Sequence, residues 1–168
     1  TVIDTRGEIE VRRYGPAILA ETDMVQPDGG FKRLAGYIFG GNASGESIAM
    51  TAPVQRELSG ELRHMAFFMP TGYDMNSLPQ PGDSDVRLRE VPARTVAVLR
   101  FSGRATQQRV AQQRSTLAQQ LVSEGLEARG DWLLNQYNPP WTPPFMRRNE
   151  IWVEVEWPLG DEAVANSH

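Results

Sequence analysis

The sequence predicts an α+β fold in which duplicated ββαββ units form a distorted eight-stranded antiparallel β-barrel flanked by two helices. Three observations carry this expectation. Apolar alternation at period two occurs in two separate blocks, each interrupted by one stretch of helical period. A Gly- and Pro-containing loop, Thr71–Asp85, divides the blocks. The phrase Val11-Arg12-Arg13-Tyr14-Gly15-Pro16-Ala17 also resembles Leu88-Arg89-Glu90-Val91-Pro92-Ala93, a weak internal duplication. The pseudo-repeats cover about 7–70 and 86–157 of one domain spanning 1–168, and because one unit alone buries little apolar surface, the two are expected to share a core.

In chain order, Gly7–Arg13 and Pro16–Met24 alternate as two strands, with Tyr14-Gly15-Pro16 as the tight turn of a hairpin. Phe31, Leu34, Ala35 and Ile38 fall at i, i+3, i+4 and i+7, so a short amphipathic helix follows, with Asp28 as N-cap and Gly40-Gly41 as its stop. Ser47–Leu58 and Glu61–Met69 read as strands around a Ser59-Gly60 turn. After the loop, Val86–Val91 and Ala93–Phe101 repeat the hairpin around Pro92. Thr106–Glu124 is helical, with Val110, Ala111, Leu117, Ala118, Leu121 and Val122 as its apolar positions and Gly125 as a C-terminal stop. Trp132–Tyr137 and Glu150–Trp157 complete the second unit, with Ile151, Val153, Val155 and Trp157 facing one way.

Composition narrows the function. With 17 Lys and Arg against 21 Asp and Glu the chain carries a formal charge of −4, which offers no overall field for gathering phosphates, so nucleic acid is not expected as a partner. The chain has no cysteine, which excludes disulfides, thiolate metal sites, Fe–S clusters and thiolate-ligated or covalently attached haem. No apolar run reaches the roughly 18 residues of a membrane span, and a monomer is expected. The chain begins at Thr1, so the expected compartment is the cytoplasm or, if an upstream signal or anchor was removed, the periplasm.

Catalytic signatures are missing: there is no GxSxG, P-loop, GxGxxG or HExxH pattern. His64 and His168 are the only histidines, too few for a multi-histidine metal site, and His64, a strand residue without an evident carboxylate partner, reads as structural, with a lone haem ligand or general base as the alternative. Met50, Met65 and Met69 read as core filling, with haem-iron ligation as the alternative. Glu150, Glu154 and Glu156 share a strand face with Trp152, expected to be the solvated outer face. The least ordinary segment is Tyr137–Glu150. Four prolines stiffen a loop holding Trp141, Phe145 and Met146, followed at once by Arg147 and Arg148. Apolar planar side chains beside guanidinium groups suit a flat hydrophobic ligand bearing carboxylates; a rigid loop that only caps the barrel fits the residues as well.

Arg12-Arg13-Tyr14-Gly15-Pro16, the run from Phe31 to Asn42, Ile48–Val54, and Tyr137-Asn138-Pro139-Pro140 followed by Arg147–Trp152 together resemble the SOUL haem-binding protein family, over about Gly7 to Trp157. The resemblance implies non-covalent binding of haem or related tetrapyrroles in a shallow apolar cleft between the first helix and the loop before the last strand; with Arg13 in place of a histidine, His64 unsupported and no Cys, metal-free porphyrins are expected to bind as well. By this resemblance the helix wall is Phe31, Leu34, Ala35 and Ile38, the loop wall is Trp141, Phe145 and Met146, and Lys32, Arg33, Arg147 or Arg148 meet the propionates. A histidine proposed as iron ligand in some members falls where this chain has Arg13, so no metal ligand or catalytic residue is assigned. The fold is also similar to that of GyrI-like domains, which keeps a small-molecule binder or small hydrolase as the alternative; a hydrolase would need a buried carboxylate of raised pKa in the cleft.

Overall fold

The computed structural model describes residues 1–24, 29–58 and 63–158. Nine strands and two helices follow in the order β1 (Val2–Arg6), β2 (Ile9–Tyr14), β3 (Ala17–Asp23), α1 (Gly29–Ile38), β4 (Val54–Glu57), β5 (His64–Phe68), β6 (Arg87–Val91), β7 (Arg94–Phe101), α2 (Gln107–Ser123), β8 (Ala128–Gln136) and β9 (Asn149–Val155). The α+β class is as expected. The expected N-cap Asp28 and the turn Ser59-Gly60 lie outside the described residues. Beyond the expected strands there is β1, a short run with no clear alternation, which pairs with β2 through a turn where Gly7 adopts φ +62°, a conformation that favours glycine.

All strands belong to one antiparallel sheet of order β1-β2-β7-β9-β8-β4-β5-β3-β6. The two expected hairpins are not hairpins. β2 bonds to β1 and β7, while β3 bonds to β5 and β6. Instead β2–β3 and β6–β7 are two long interrupted runs that pair with each other, and the register continues across the interruption so that Pro16 stands opposite Pro92. Neither proline has an N–H to donate, so the ladder lapses there and the chain passes from one end of the sheet to the other. Six strand spacings of about 4.8 Å would separate β2 from β3 in a flat sheet, roughly 29 Å. The two residues Gly15 and Pro16 reach only about 10 Å between the strand ends. The sheet must therefore curl until its ends meet at these links. The barrel is distorted: among the described residues it has nine strands and no ladder of hydrogen bonds closing it.

Each helix covers its own apolar patch. Leu34, Tyr37 and Ile38 of α1 bury against Ala20, Met65 and Phe67. Val110, Leu117 and Leu121 of α2 bury against Ile9, Val11, Ala97, Leu99, Ile151 and Val153. Each such Leu or Ile is worth about 1.5–3 kcal/mol of burial. Thr106 caps α2 by accepting a hydrogen bond from the Arg109 amide at 3.2 Å. Val122, counted among the apolar positions, faces solvent at 80 % exposure.

The alternate residues of the same strands form the helix-free face. There Arg12, Gln55, Asn135, Glu150 and Trp152 are all buried. The expected solvated face of β9 is thus solvated only at its far end, where Glu154 and Glu156 are exposed. Glu150 and Trp152 lie under the curl of the sheet, which covers one end of a face that strand parity alone would leave open.

Candidate functional site

The loop from Tyr137 to Arg148 joins β8 to β9 and is fastened at its base by Glu150. This carboxylate is fully buried and accepts hydrogen bonds from Arg12 at 3.0 Å, Tyr137 Oη at 2.8 Å, Trp152 Nε1 at 2.7 Å and Arg148 Nε at 2.9 Å. Burial alone pushes the Glu150 carboxyl up, but the bonds from Trp152, Arg148 and Tyr137 and the charge of Arg12 outweigh it and hold the group below the usual carboxylate range. The same burial, beside the Glu150 charge, pushes the Tyr137 hydroxyl far up, so it stays a donor. Tyr14 stacks on Trp152 with ring centroids 4.6 Å apart, and Arg148 lies 4.3 Å from the centre of the Tyr137 ring. Both ends of the loop therefore meet one carboxylate. The backbone adds two more ties, Tyr137 N to Arg148 O at 3.2 Å and Arg148 N to Asn138 Oδ1 at 2.6 Å.

Above this base the loop is stiff and apolar. Pro139, Pro140, Pro143 and Pro144 fix four φ angles, a short 3-10 turn covers Pro144–Met146, and Arg147 donates to the carbonyls of Thr142 and Pro140. Gly103 N reaches Pro144 O at 2.9 Å, tying the loop to the end of β7. Trp141, Phe145 and Met146 remain 83 %, 79 % and 62 % exposed. Among the described residues, Trp141, Phe145 and Met146 put three large apolar side chains out in water within six residues, a concentration that marks a binding surface.

The other half of the expected cleft is different. Leu34 and Ile38 are buried in the core, so they cannot also form a ligand-facing wall. Ala35 is half-buried, Phe31 packs edge-on against Phe67 while remaining partly exposed, and Lys32 is exposed. Arg33 is engaged with Asp83 at 3.4 Å and Asp85 at 3.8 Å, and Arg148 with Glu150. Of the four cations expected for propionates, Lys32 and Arg147 are the two that no carboxylate engages among the described residues. Beside the loop, Phe145, Met146 and Arg147 line a hollow of about 560 Å³ completed by Leu99, Arg100, Phe101, Arg109, Gln113 and Glu8. Its far wall is β7 and α2, not α1.

His64 also differs from expectation, since it does have carboxylate neighbours. Its Nδ1 lies 2.7 Å from Asp23 Oδ1 and its Nε2 lies 3.6 Å from Glu57 Oε2, both supplied by adjacent strands. His64 and Glu57 border a hollow of about 270 Å³ with Glu21, Asp131 and Arg89. Burial, with help from Asp131, pushes the Glu57 carboxyl up. No group of three metal-ligating side chains occurs among the described residues. Met65 and Met69 are buried in the core, while Met50 is 48 % exposed.

Sequence comparisons agree with this architecture. The chain belongs to the SOUL heme-binding protein family, whose sequence profile matches residues 1–154. It is 30 % identical to heme-binding protein 2 of Mus musculus over 166 residues, covering 88 % of this chain and 78 % of that one. It is 31 % identical to heme-binding protein 1 of Sus scrofa over 130 residues, covering 70 % and 65 %. Among solved structures, the C-terminal domain of EcmrR aligns with a TM-score of 0.66 at 13 % identity, covering 88 % of this chain and 96 % of that one. A hydrolase from Listeria innocua aligns with a TM-score of 0.66 at 12 % identity, covering 89 % and 92 %. At such identities the structural matches speak for the fold alone.

Proposed function

We propose that this chain is a non-enzymatic, non-covalent binder of haem and related tetrapyrroles, acting as a carrier or buffer, with the Tyr137–Arg148 loop as its docking element. The observation that carries the reading is the exposed trio Trp141, Phe145 and Met146 on a loop already ordered from below by Glu150. A flat apolar macrocycle gains from covering such side chains, and a prefixed loop loses little entropy in doing so. Family membership and relatives named heme-binding proteins point to the same ligand. The residues fit the group: apolar planar surface stands beside guanidinium side chains, the chemistry of a ring with carboxylate arms.

Iron ligation by His64 is not part of this reading, because its two nitrogens face Asp23 and Glu57. The ring is held by apolar contact and by pairing of its carboxylates, so iron-free protoporphyrin should bind as haemin does. Hydrolysis at Glu150 is disfavoured, since a carboxylate saturated with donors and held ionised has no affinity to spare for a substrate proton.

Haemin titration followed by the Soret band tests the reading. The unaltered chain should saturate, and Trp141→Ala with Phe145→Ala should weaken binding by about tenfold or more at unchanged melting temperature, since two exposed rings contribute to the complex and not to the fold. Equal affinity of the double variant and the parent would refute the loop as the docking element.

A further inference from the structure

We infer that Arg100 of β7 and Arg109 of α2 form the carboxylate clamp of the tetrapyrrole site, an inference that rests on the haem-binding reading above. The chain is acidic, at −4, yet the hollow beside Phe145 and Met146 gathers three guanidinium groups, Arg100, Arg109 and Arg147, against one carboxylate, Glu8. Seven of the sixteen arginines face carboxylates among the described residues: Arg6 meets Asp4, Arg12 meets Glu10 and Glu150, Arg33 meets Asp83, Arg87 and Arg89 meet Glu21, Arg129 meets Glu156 and Arg148 meets Glu150. The three in the hollow do not. Arg147 spends its donors on neutral carbonyls, Arg109 lies 5.7 Å from the centre of the Phe101 ring, and Arg100 has no ion pair among the described residues.

Position adds to the charge. Arg109 sits in the first turn of α2, a 17-residue helix with no acidic residue in that turn. The positive end of the helix dipole makes this an unfavourable place for a cation unless an anion comes to it. The hollow lies at the edge of β7 beyond Leu99, where pairing with β2 ends, so Arg100, on the Glu150 side of the strand, and Arg109, over Phe101 on the α2 side, border it from opposite faces; Phe145 and Met146 form its exposed apolar edge. A ligand with an apolar body over the loop and negative arms reaching into the hollow matches both parts. Lys32 and Arg33 lie on α1, which packs on β3 and β5, and serve no part of this clamp. Arg147 belongs to it by charge, but its bonds within the loop make it a poor residue to alter.

The test compares protoporphyrin with its neutral dimethyl ester, in the full chain and in Arg100→Gln/Arg109→Gln, with a thermal melt of each. The double variant should lose about tenfold or more in protoporphyrin affinity, with a weaker dependence on salt, and should bind the ester as the parent does. Glu8→Gln, which removes the one carboxylate of the hollow at an exposed turn, should tighten protoporphyrin binding about two- to threefold and serves even if the arginine variant folds poorly. Unchanged protoporphyrin affinity in both variants would overturn the clamp while leaving haem binding intact. An equal loss for the ester would overturn it as well, because the arginines would then act through packing. A parent chain that binds neither haemin nor protoporphyrin would remove the haem reading and the clamp together.

Discussion

Glu150→Gln exchanges an ionised carboxylate for an amide of nearly the same shape, and the structure sets what that costs. Six contacts from four donor side chains converge on the two oxygens. The amide keeps one acceptor and adds two N–H groups, which must point either at Arg12 and Arg148 or at Tyr137 and Trp152. The Tyr137 hydroxyl can turn and accept. The Trp152 indole and the guanidinium groups cannot, so at least one buried N–H loses its partner, at about 1–3 kcal/mol. Arg12, 8 % exposed, also loses its buried counter-charge and keeps only Glu10. Breaking a buried pair from one side costs about 3–5 kcal/mol in all. For a chain of this length that lowers the melting temperature by roughly 6–20 °C. Urea unfolding followed by circular dichroism measures it directly.

The pH dependence gives a second check on the same variant. The folded protein holds the Glu150 carboxyl below its unfolded value, so the unfolded chain takes up the proton first as pH falls. This contribution is complete above the unfolded value of about 4.3 and is lost progressively as pH drops through the folded one. The glutamine variant lacks the titrating group. The stability gap between parent and variant should therefore be widest near neutrality and shrink below about pH 4. A loss under about 1 kcal/mol at pH 7, or a gap that stays constant down to pH 3, would show that the carboxylate is not the tie of the loop.

Two further outcomes follow from burial and from iron. Leu34→Glu places a carboxylate in a core position of zero exposure and should abolish the cooperative melt outright; a folded Leu34→Glu protein that merely binds haem weakly would return this residue to the ligand wall. His64→Ala should leave the haemin Soret band unchanged, and iron-free protoporphyrin should bind within about tenfold of haemin, a difference of about 1.4 kcal/mol or less, whereas a shifted band with much weaker binding of the metal-free ring would make His64 an iron ligand.

What the sequence made legible was mostly local. The α2 pattern of Val110, Leu117 and Leu121 with Gly125 behind it, and the alternation of Ile151, Val153 and Val155, each state which side chains turn inward, and they do. Gly15-Pro16 and Pro92-Ala93 misled, because proline punctuates a crossing between distant strands as readily as a hairpin turn, and only the long-range register separates the two. The α1 stripe misled in another way: period 3.6 says that Leu34 and Ile38 are covered, not whether sheet or ligand covers them. His64 looked isolated because Asp23 and Glu57 come to it from other strands.

Glu150 is the instructive case for the site. Strand parity put it on the face opposite Ile151, which is correct, but whether that face meets water depends on how far the sheet curls, and no local pattern encodes that. The available signal was Trp152, a residue of the same parity too large and apolar to belong on a wholly solvated face. The consequence is a division of labour along one loop. Trp141, Phe145 and Met146 touch water in the free protein, so removing them should cost binding and little stability. Glu150 touches no water and holds both ends of the loop, so removing its charge should cost stability first, with binding following as the loop loosens. An apolar platform can stay exposed in this way only because the polar cluster beneath it supplies the order that burial supplies elsewhere in the fold.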